Sequence, residues 1–341
     1  MSERRMEENA LFASREKAAG IVIRGLSMEL YGRKLLDHVD LDIAPGKISG
    51  LAGESGSGKS LTGMTILGLP PEGAKLTGSV KYAGETELLG MKERERNGYR
   101  GRRISMVFQD PTSSMHPMLS IERQLTDGMR YHLHLNKQQA RERAVELLRL
   151  VQVPEPEQAL ERFPHQFSGG QLQRIAIATA LSCNSRVLIA DEPTTALDVT
   201  VQAGILHLLK DLNERLGLTI LLITHDLGVM SALADTIAVM RQGKIVEVGD
   251  RYDIINHPQH PYTIDLINSL PTKVEERMEA AGELGSSNAA WDAGTVENVD
   301  MNLDAGDASI PTIESPTKVS QAGETGAANG AGAIGKIDEE A

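Results

Sequence analysis

An α/β fold built on a mostly parallel sheet is what the sequence predicts. Between residues 21 and 271, short β-branched runs alternate with longer amphipathic stretches, the rhythm of helices laid over parallel strands. A glycine-rich loop sits where one apolar run ends and a helix begins. The chain is 40% hydrophobic but only 3% aromatic, so its core must be packed from Leu, Ile, Val and Ala.

Taken in order, the candidate strands are Ile21 to Ile23, Ile48 to Ala52, Ser79 to Tyr82, Ile104 to Phe108, Val187 to Ala190, Thr219 to Ile223, Thr236 to Met240 and Lys244 to Val248. Helical periodicity is clearest in Lys59 to Leu69, Lys137 to Val151, Gln171 to Leu181, Val201 to Leu216 and Asp253 to Asn256. No convincing strand lies between Phe108 and Val187, which predicts a helical subdomain, about residues 110–182, inserted into the sheet domain.

The formal net charge is −12, which argues against nucleic acid as a main partner. That charge is unevenly placed. Residues 272–341 carry 4 Lys plus Arg against 14 Asp plus Glu, whereas the 271 residues before them carry 31 against 33. The acidic, Gly- and Ala-rich segment shows no sustained period and reads as a disordered C-terminal tail, with Trp291 marking a short candidate partner-binding segment. Residues 1–20 form a charged N-terminal extension without the apolar run of a signal peptide, which argues against secretion. The best apolar run, Leu218 to Thr224, falls far short of the roughly 20 residues that cross a bilayer, so any membrane role is peripheral. Cys183 is the only cysteine; it excludes an intrachain disulfide and suits a reducing compartment.

The chemistry concentrates in a few segments. Gly53, Glu54, Ser55, Gly56, Ser57, Gly58, Lys59 and Ser60 fit G-x-x-x-x-G-K-[ST] between an apolar strand and a helix, with Leu61 following. Such a loop turns backbone N–H groups inward around a polyphosphate; Lys59 is placed for the β- and γ-phosphates and Ser60 for Mg²⁺. Val187 to Ala190 then runs straight into Asp191 and Glu192, the pattern of a buried parallel strand ending in carboxylates. Asp191 is placed to hold Mg²⁺ and Glu192 to polarise the attacking water. Ser168, Gly169, Gly170 and Gln171 open another helix, where Ser168 is a good N-cap and the glycines free backbone N–H groups. Two phosphate-seeking helix starts so far apart suggest a nucleotide held between two chains. The basic stretch Lys92 to Arg103 reads as a solvated connector, with docking as the alternative. His257 and His260 have the spacing of metal ligands, but Pro258 and Pro261 favour a rigid extended corner.

In this order the motifs resemble those of ATP-binding subunits of ABC transporters, P-loop NTPases with a mixed sheet core, an inserted helical subdomain and, here, a tail. The resemblance covers about Ile21 to Pro271. It implies that Tyr31 stacks on adenine, that Gln109 contacts Mg²⁺ and water and senses the membrane subunit, and that Ser168 to Gln171 are the signature motif, with Phe167 where Leu is more usual. It also implies that Asp198 lies in a loop crossing a dimer interface and that His225 contacts the γ-phosphate. Glu192, His225 and Gln109 become the catalytic residues, with Ser60, Gln109 and Asp191 on the metal.

Gln109-Asp110-Pro111 with Ser113, Ser114 and Pro117, the run Ala190 to Gln202, and His260-Pro261-Tyr262-Thr263 resemble the importers of oligopeptides, dipeptides and nickel. ATP and Mg²⁺ are the cofactors this implies. The partners implied are two membrane permease subunits, a second ATP-binding subunit arranged head to tail, and indirectly an extracytoplasmic solute-binding protein, at the cytoplasmic face of the cell membrane. The cysteine-rich extension of many peptide-importer subunits is missing, so no iron–sulfur cluster is expected. Soluble ABC ATPases of translation or repair usually carry a second cassette or long insertions, and neither occurs here.

Overall fold

The structure, a computed structural model, describes residues 18–195 and 197–269. These belong to one compact unit, Met1–Gly285; the disorder expected of the tail, Trp291 and residues 1–17 of the N-terminal extension lie outside the described residues.

The chain opens with β1 (Ile21–Leu30), β2 (Arg33–Ile43) and β3 (Ile48–Ala52), followed by α1 (Lys59–Ile66). Then come β4 (Lys75–Tyr82), β5 (Thr86–Glu87), the single turn α2 (Glu93–Arg96) and β6 (Ile104–Val107). A helical stretch follows: α3 (Pro111–Ser114), α4 (Ile121–His132), α5 (Lys137–Leu150), α6 (Pro156–Ala159) and α7 (Gly169–Leu181). The remainder alternates again, through β7 (Val187–Asp191), α8 (Val199–Leu216), β8 (Thr219–Thr224), α9 (Leu227–Leu233), β9 (Thr236–Arg241), β10 (Lys244–Asp250), α10 (Arg251–Asn256) and α11 (Pro261–Asn268).

Two sheets result. The larger has the order β10-β9-β3-β8-β7-β6, parallel except for the antiparallel edge strand β10. The smaller, β2-β1-β4-β5, is wholly antiparallel and was not foreseen as a separate layer. Strand periodicity explains the layering. On β7 and β8, Leu188, Ala190, Ile220 and Leu222 face a core shared with α4, α5, α7 and α8. Val187, Ile189, Leu221 and Ile223 alternate with them and face the core under the antiparallel sheet, against Ile21, Ile23 and Val39. The helical stretch therefore shares one continuous core with the sheet. A third cluster, including Met230, Ile254, Tyr262 and Ile267, packs α9, α10 and α11 against the β3–β9 side.

Two expectations need correction. The corner at His257 to His260 is extended only as far as His260, at φ −79° and ψ 133°: Pro261 already occupies the first helical turn of α11, where its missing N–H costs nothing, and the His260 side chain caps that helix by accepting from Tyr262 N–H at 3.2 Å. No cluster of His, Cys, Asp or Glu able to hold a metal by itself occurs among the described residues. The basic stretch is not simply a solvated connector either. Arg100 donates to Leu67 O at 2.8 Å and Gly68 O at 2.7 Å, and Arg96 to Gly68 O at 3.0 Å and Leu88 O at 3.1 Å. These two guanidinium groups sit on the carbonyl end of α1, where a helix favours positive charge. Gly68, at φ +65°, closes the same end: Gly68 N–H bonds Thr65 O and Leu69 N–H bonds Met64 O.

Candidate nucleotide-binding and hydrolysis site

The glycine-rich loop joins β3 to α1, and its shape depends on glycine at two positions. Gly53 has φ +148°, and a Cβ there would stand 2.2 Å from the Met240 carbonyl oxygen. Gly58, the N-cap of α1, has φ +109° and would place a Cβ 2.8 Å from Leu36. No side chain caps the N-terminus of α1, so its N–H groups are left for an outside acceptor. The loop is held from behind by Gly243 N–H on Ser57 O at 2.8 Å.

Lys59 begins α1 and is 6% exposed, its Nζ donating to Gly53 O at 2.7 Å and Glu54 O at 2.9 Å. Burial pushes its pKa down, against the pull of Glu192, Asp191 and Glu54. The next residue, Ser60, donates its hydroxyl to Asp191 Oδ1 at 3.0 Å, which ties the loop to the end of β7. Asp191 is buried; desolvation pushes its pKa up, Glu192 adds to that, and the Ser60 hydroxyl and Lys59 oppose it.

Glu192, just past β7, takes a left-handed conformation at φ +48°. For a non-glycine residue this costs of order 1–2 kcal/mol, and surrounding bonds hold it there. Its N–H donates to Ile223 O at 2.8 Å, Thr195 Oγ1 donates to Oε2 at 3.0 Å, and His225 Nδ1 lies 2.8 Å from Oε1. His225 N–H also reaches Oε1, at 3.2 Å. The strained turn thus aims one carboxylate into the cleft and joins it to the residue after β8.

Ser55, Gly56, Gly58, Lys59, Ser60 and Leu61 line that cleft together with Gln109 and Glu192. Gly53, Glu54 and Ser57 shape the loop behind it; Asp191 reaches it through Ser60, and His225 through Glu192. Tyr31, Ser168 to Gln171 and Asp198 do not line it. Tyr31 occupies the two-residue β1–β2 turn with Gly32, both at positive φ, and is 90% exposed. Asp198 caps α8 by accepting from Val201 N–H at 3.0 Å. Ser168 and Gln171 close a reciprocal capping box on α7, at 3.3 and 3.1 Å.

The residues present fit a magnesium-bound polyphosphate. Ser57 Oγ is buried without a hydrogen-bond partner among the described residues, inside a cradle that a Cβ on Gly53 would fill. Ser60 and Asp191 offer hard oxygen donors, few enough to leave the remaining positions of an octahedral ion to phosphate and water. In the sequence Thr195 stands out only within the run Ala190 to Gln202 and Tyr262 only within a C-terminal motif, although a hydroxyl three residues beyond Glu192 is visible there.

Residues 36–195 match the family model described as ABC transporter, and residues 246–292 match oligopeptide/dipeptide transporter, C-terminal region. A dipeptide transport ATP-binding protein of Bacillus subtilis is 44% identical over 259 residues, covering 75% of this chain and 77% of that protein. The chain belongs to the ABC transporter ATPase family. An oligopeptide transport ATP-binding protein of Bacillus subtilis is 47% identical over 238 residues, covering 69% of this chain and 72% of that one. Among solved structures, a dimeric ATP-binding cassette in a post-hydrolysis state with ADP and Pi is 29% identical, with a TM-score of 0.60, covering 68% of this chain and 98% of that one. The loop, the strained glutamate and its histidine are therefore parts of an ABC-type ATPase.

Proposed function

We propose that this ABC ATPase energises peptide import, working at the cytoplasmic face of a membrane beside permease subunits that a solute-binding protein supplies. The observation that carries the reading is the junction at Glu192, which lines the cleft with the phosphate loop and links it to His225, while Ser60 links it to Asp191 at the end of β7. The match of residues 246–292 to the oligopeptide/dipeptide transporter region supports peptide as the cargo. No helix among the described residues is long and apolar enough to cross a membrane.

In this reading Lys59 leaves the Gly53 and Glu54 carbonyls for the phosphates, and Ser60, Asp191 and Gln109 would hold Mg²⁺, which would supply positive charge to the phosphates. Glu192 takes the proton from the attacking water at a carboxylate oxygen, while His225, bonded to that carboxylate, fixes its direction. Tyr31, exposed on its turn, is free to lie against adenine. Ser168 to Gln171 and Asp198, lying outside the cleft, act on the nucleotide of a second ATP-binding subunit, so that nucleotide favours the closed pair.

The test is steady-state ATP hydrolysis by the reconstituted transporter carrying Glu192→Gln, with the partner cassette substituted likewise if it is a different chain. Loss of a general base should lower kcat by about 10²- to 10⁴-fold and leave ATP binding intact. Turnover at the wild-type rate would remove Glu192 from the role of base.

A further inference from the structure

The motif His260-Pro261-Tyr262-Thr263 starts α11. Its tyrosine does more. The Tyr262 hydroxyl accepts from Glu54 N–H at 3.1 Å, inside the phosphate loop. The same peptide group presents its carbonyl, Gly53 O, to Lys59 Nζ at 2.7 Å. A trans peptide is planar, with N–H and C=O pointing opposite ways, so Tyr262 and Lys59 grip the two ends of one rigid plane. The plane needs gripping, because glycine at position 53, at φ +148°, lets it rotate at little cost.

The tyrosine itself is firmly placed. It is 4% exposed, within the cluster of α9, α10 and α11, and the Arg241 guanidinium lies 4.7 Å from its ring centroid. The start of α11 is anchored to β10, where Glu247 accepts from Gln259 N–H at 2.7 Å and His260 N–H at 3.1 Å. Burial raises the pKa of Glu247, but the nearby Thr263 hydroxyl and the hydrogen bonds from these two backbone groups outweigh it and hold the carboxylate below its ordinary value.

We infer that Tyr262 is a positioning residue for nucleotide binding, through which the C-terminal peptide-transporter region sets the Gly53–Glu54 peptide and hence the starting place of the Lys59 ammonium. The inference rests on the reading of this loop as the ATP site. It makes the phosphate loop a composite of two sequence regions, one of which lies outside the segment matched to the general ABC transporter family.

Tyr262→Phe removes the hydroxyl and keeps the ring, its packing and the Arg241 contact. Equilibrium titration of the full-length chain with a fluorescent ATP analogue and Mg²⁺ should show affinity weakened about three- to tenfold, the size of one lost hydrogen bond. KM for ATP should rise by a similar factor, with kcat changed less than twofold. Tyr252→Phe, on an exposed tyrosine of α10, serves as the control and should bind as wild type. Affinity of Tyr262→Phe equal to that of the control, measured well below both melting temperatures, overturns the inference whatever the melting temperatures do. Failure of the wild-type chain to bind the analogue would instead overturn the nucleotide reading itself.

Discussion

The loop at Gly53 to Ser60 and the segment Ser168 to Gln171 look alike as sequence: each is serine and glycine leading into a helix. Physically they are opposites. At α1 the N-terminus has no side-chain cap, and glycines at positive φ leave its N–H groups for an external anion. At α7 the N-terminus is partly closed by its own Ser168–Gln171 capping box, which takes up the Gln171 N–H. Gly170 is small for another reason, since a Cβ there would stand 2.4 Å from Val201 Cγ1 on α8. Close helix packing thus demands a glycine at position 170 in addition to what its N–H group can offer. Composition announces a helix start, and only the caps distinguish an open one from a closed one.

Substitutions can break that contrast. The largest effect is expected from Gly53→Ala, where both φ and the Met240 carbonyl forbid a side chain. Stability should fall by about 3 kcal/mol or more, and binding of an ATP analogue should be lost in titration. Gly170→Ala should cost about 1–3 kcal/mol in denaturant unfolding through overpacking, while ATP-analogue binding by the isolated chain stays as wild type. Adding Val201→Ala should recover most of that loss; no recovery would mean that position 170 is small for another reason.

The smallest effect concerns charge within the open site. Asp191 has a raised pKa, so the folded chain holds its proton more tightly than the unfolded one. The sign follows: the penalty is full above the folded pKa and fades as pH falls through it towards the ordinary carboxylate value. Asp191→Asn should therefore stabilise the nucleotide-free chain by about 1 kcal/mol at neutral pH and flatten its pH dependence, while slowing Mg²⁺-dependent hydrolysis. Urea unfolding across pH checks the first two, and a variant less stable than wild type at neutral pH would contradict them.

Much of this architecture was legible because its signals are local. Val187 to Ala190 is buried on both faces and reads as an unbroken apolar run ending in Asp191 and Glu192. The loop's glycines and Lys59 lie within eight residues, so one turn of chain carries the whole message. β2 was missed although Val39, Leu41 and Ile43 alternate with Asp40 and Asp42, because His38 at positive φ and shifts in the β1 pairing register break the period at its start. α4 was missed although Ile121, Leu125 and Met129 recur every fourth residue behind the Ser120 cap. The Arg96 and Arg100 contacts and the Glu54–Tyr262 bond could not be read at all. Nothing near an arginine says which distant carbonyl it will find, and 208 residues separate Glu54 from Tyr262.

That separation bears on how the protein is made. The Gly53 turn is shaped against Met240, Ser57 is held by Gly243, and Glu54 is bonded to Tyr262. A nascent chain that has emerged only as far as α8 already contains every residue of the phosphate motif but none of these supports. ATP therefore acts most strongly as a folding ligand late in synthesis, once β9 to α11 have left the ribosome, and a chain truncated before residue 240 carries the motif without the grip.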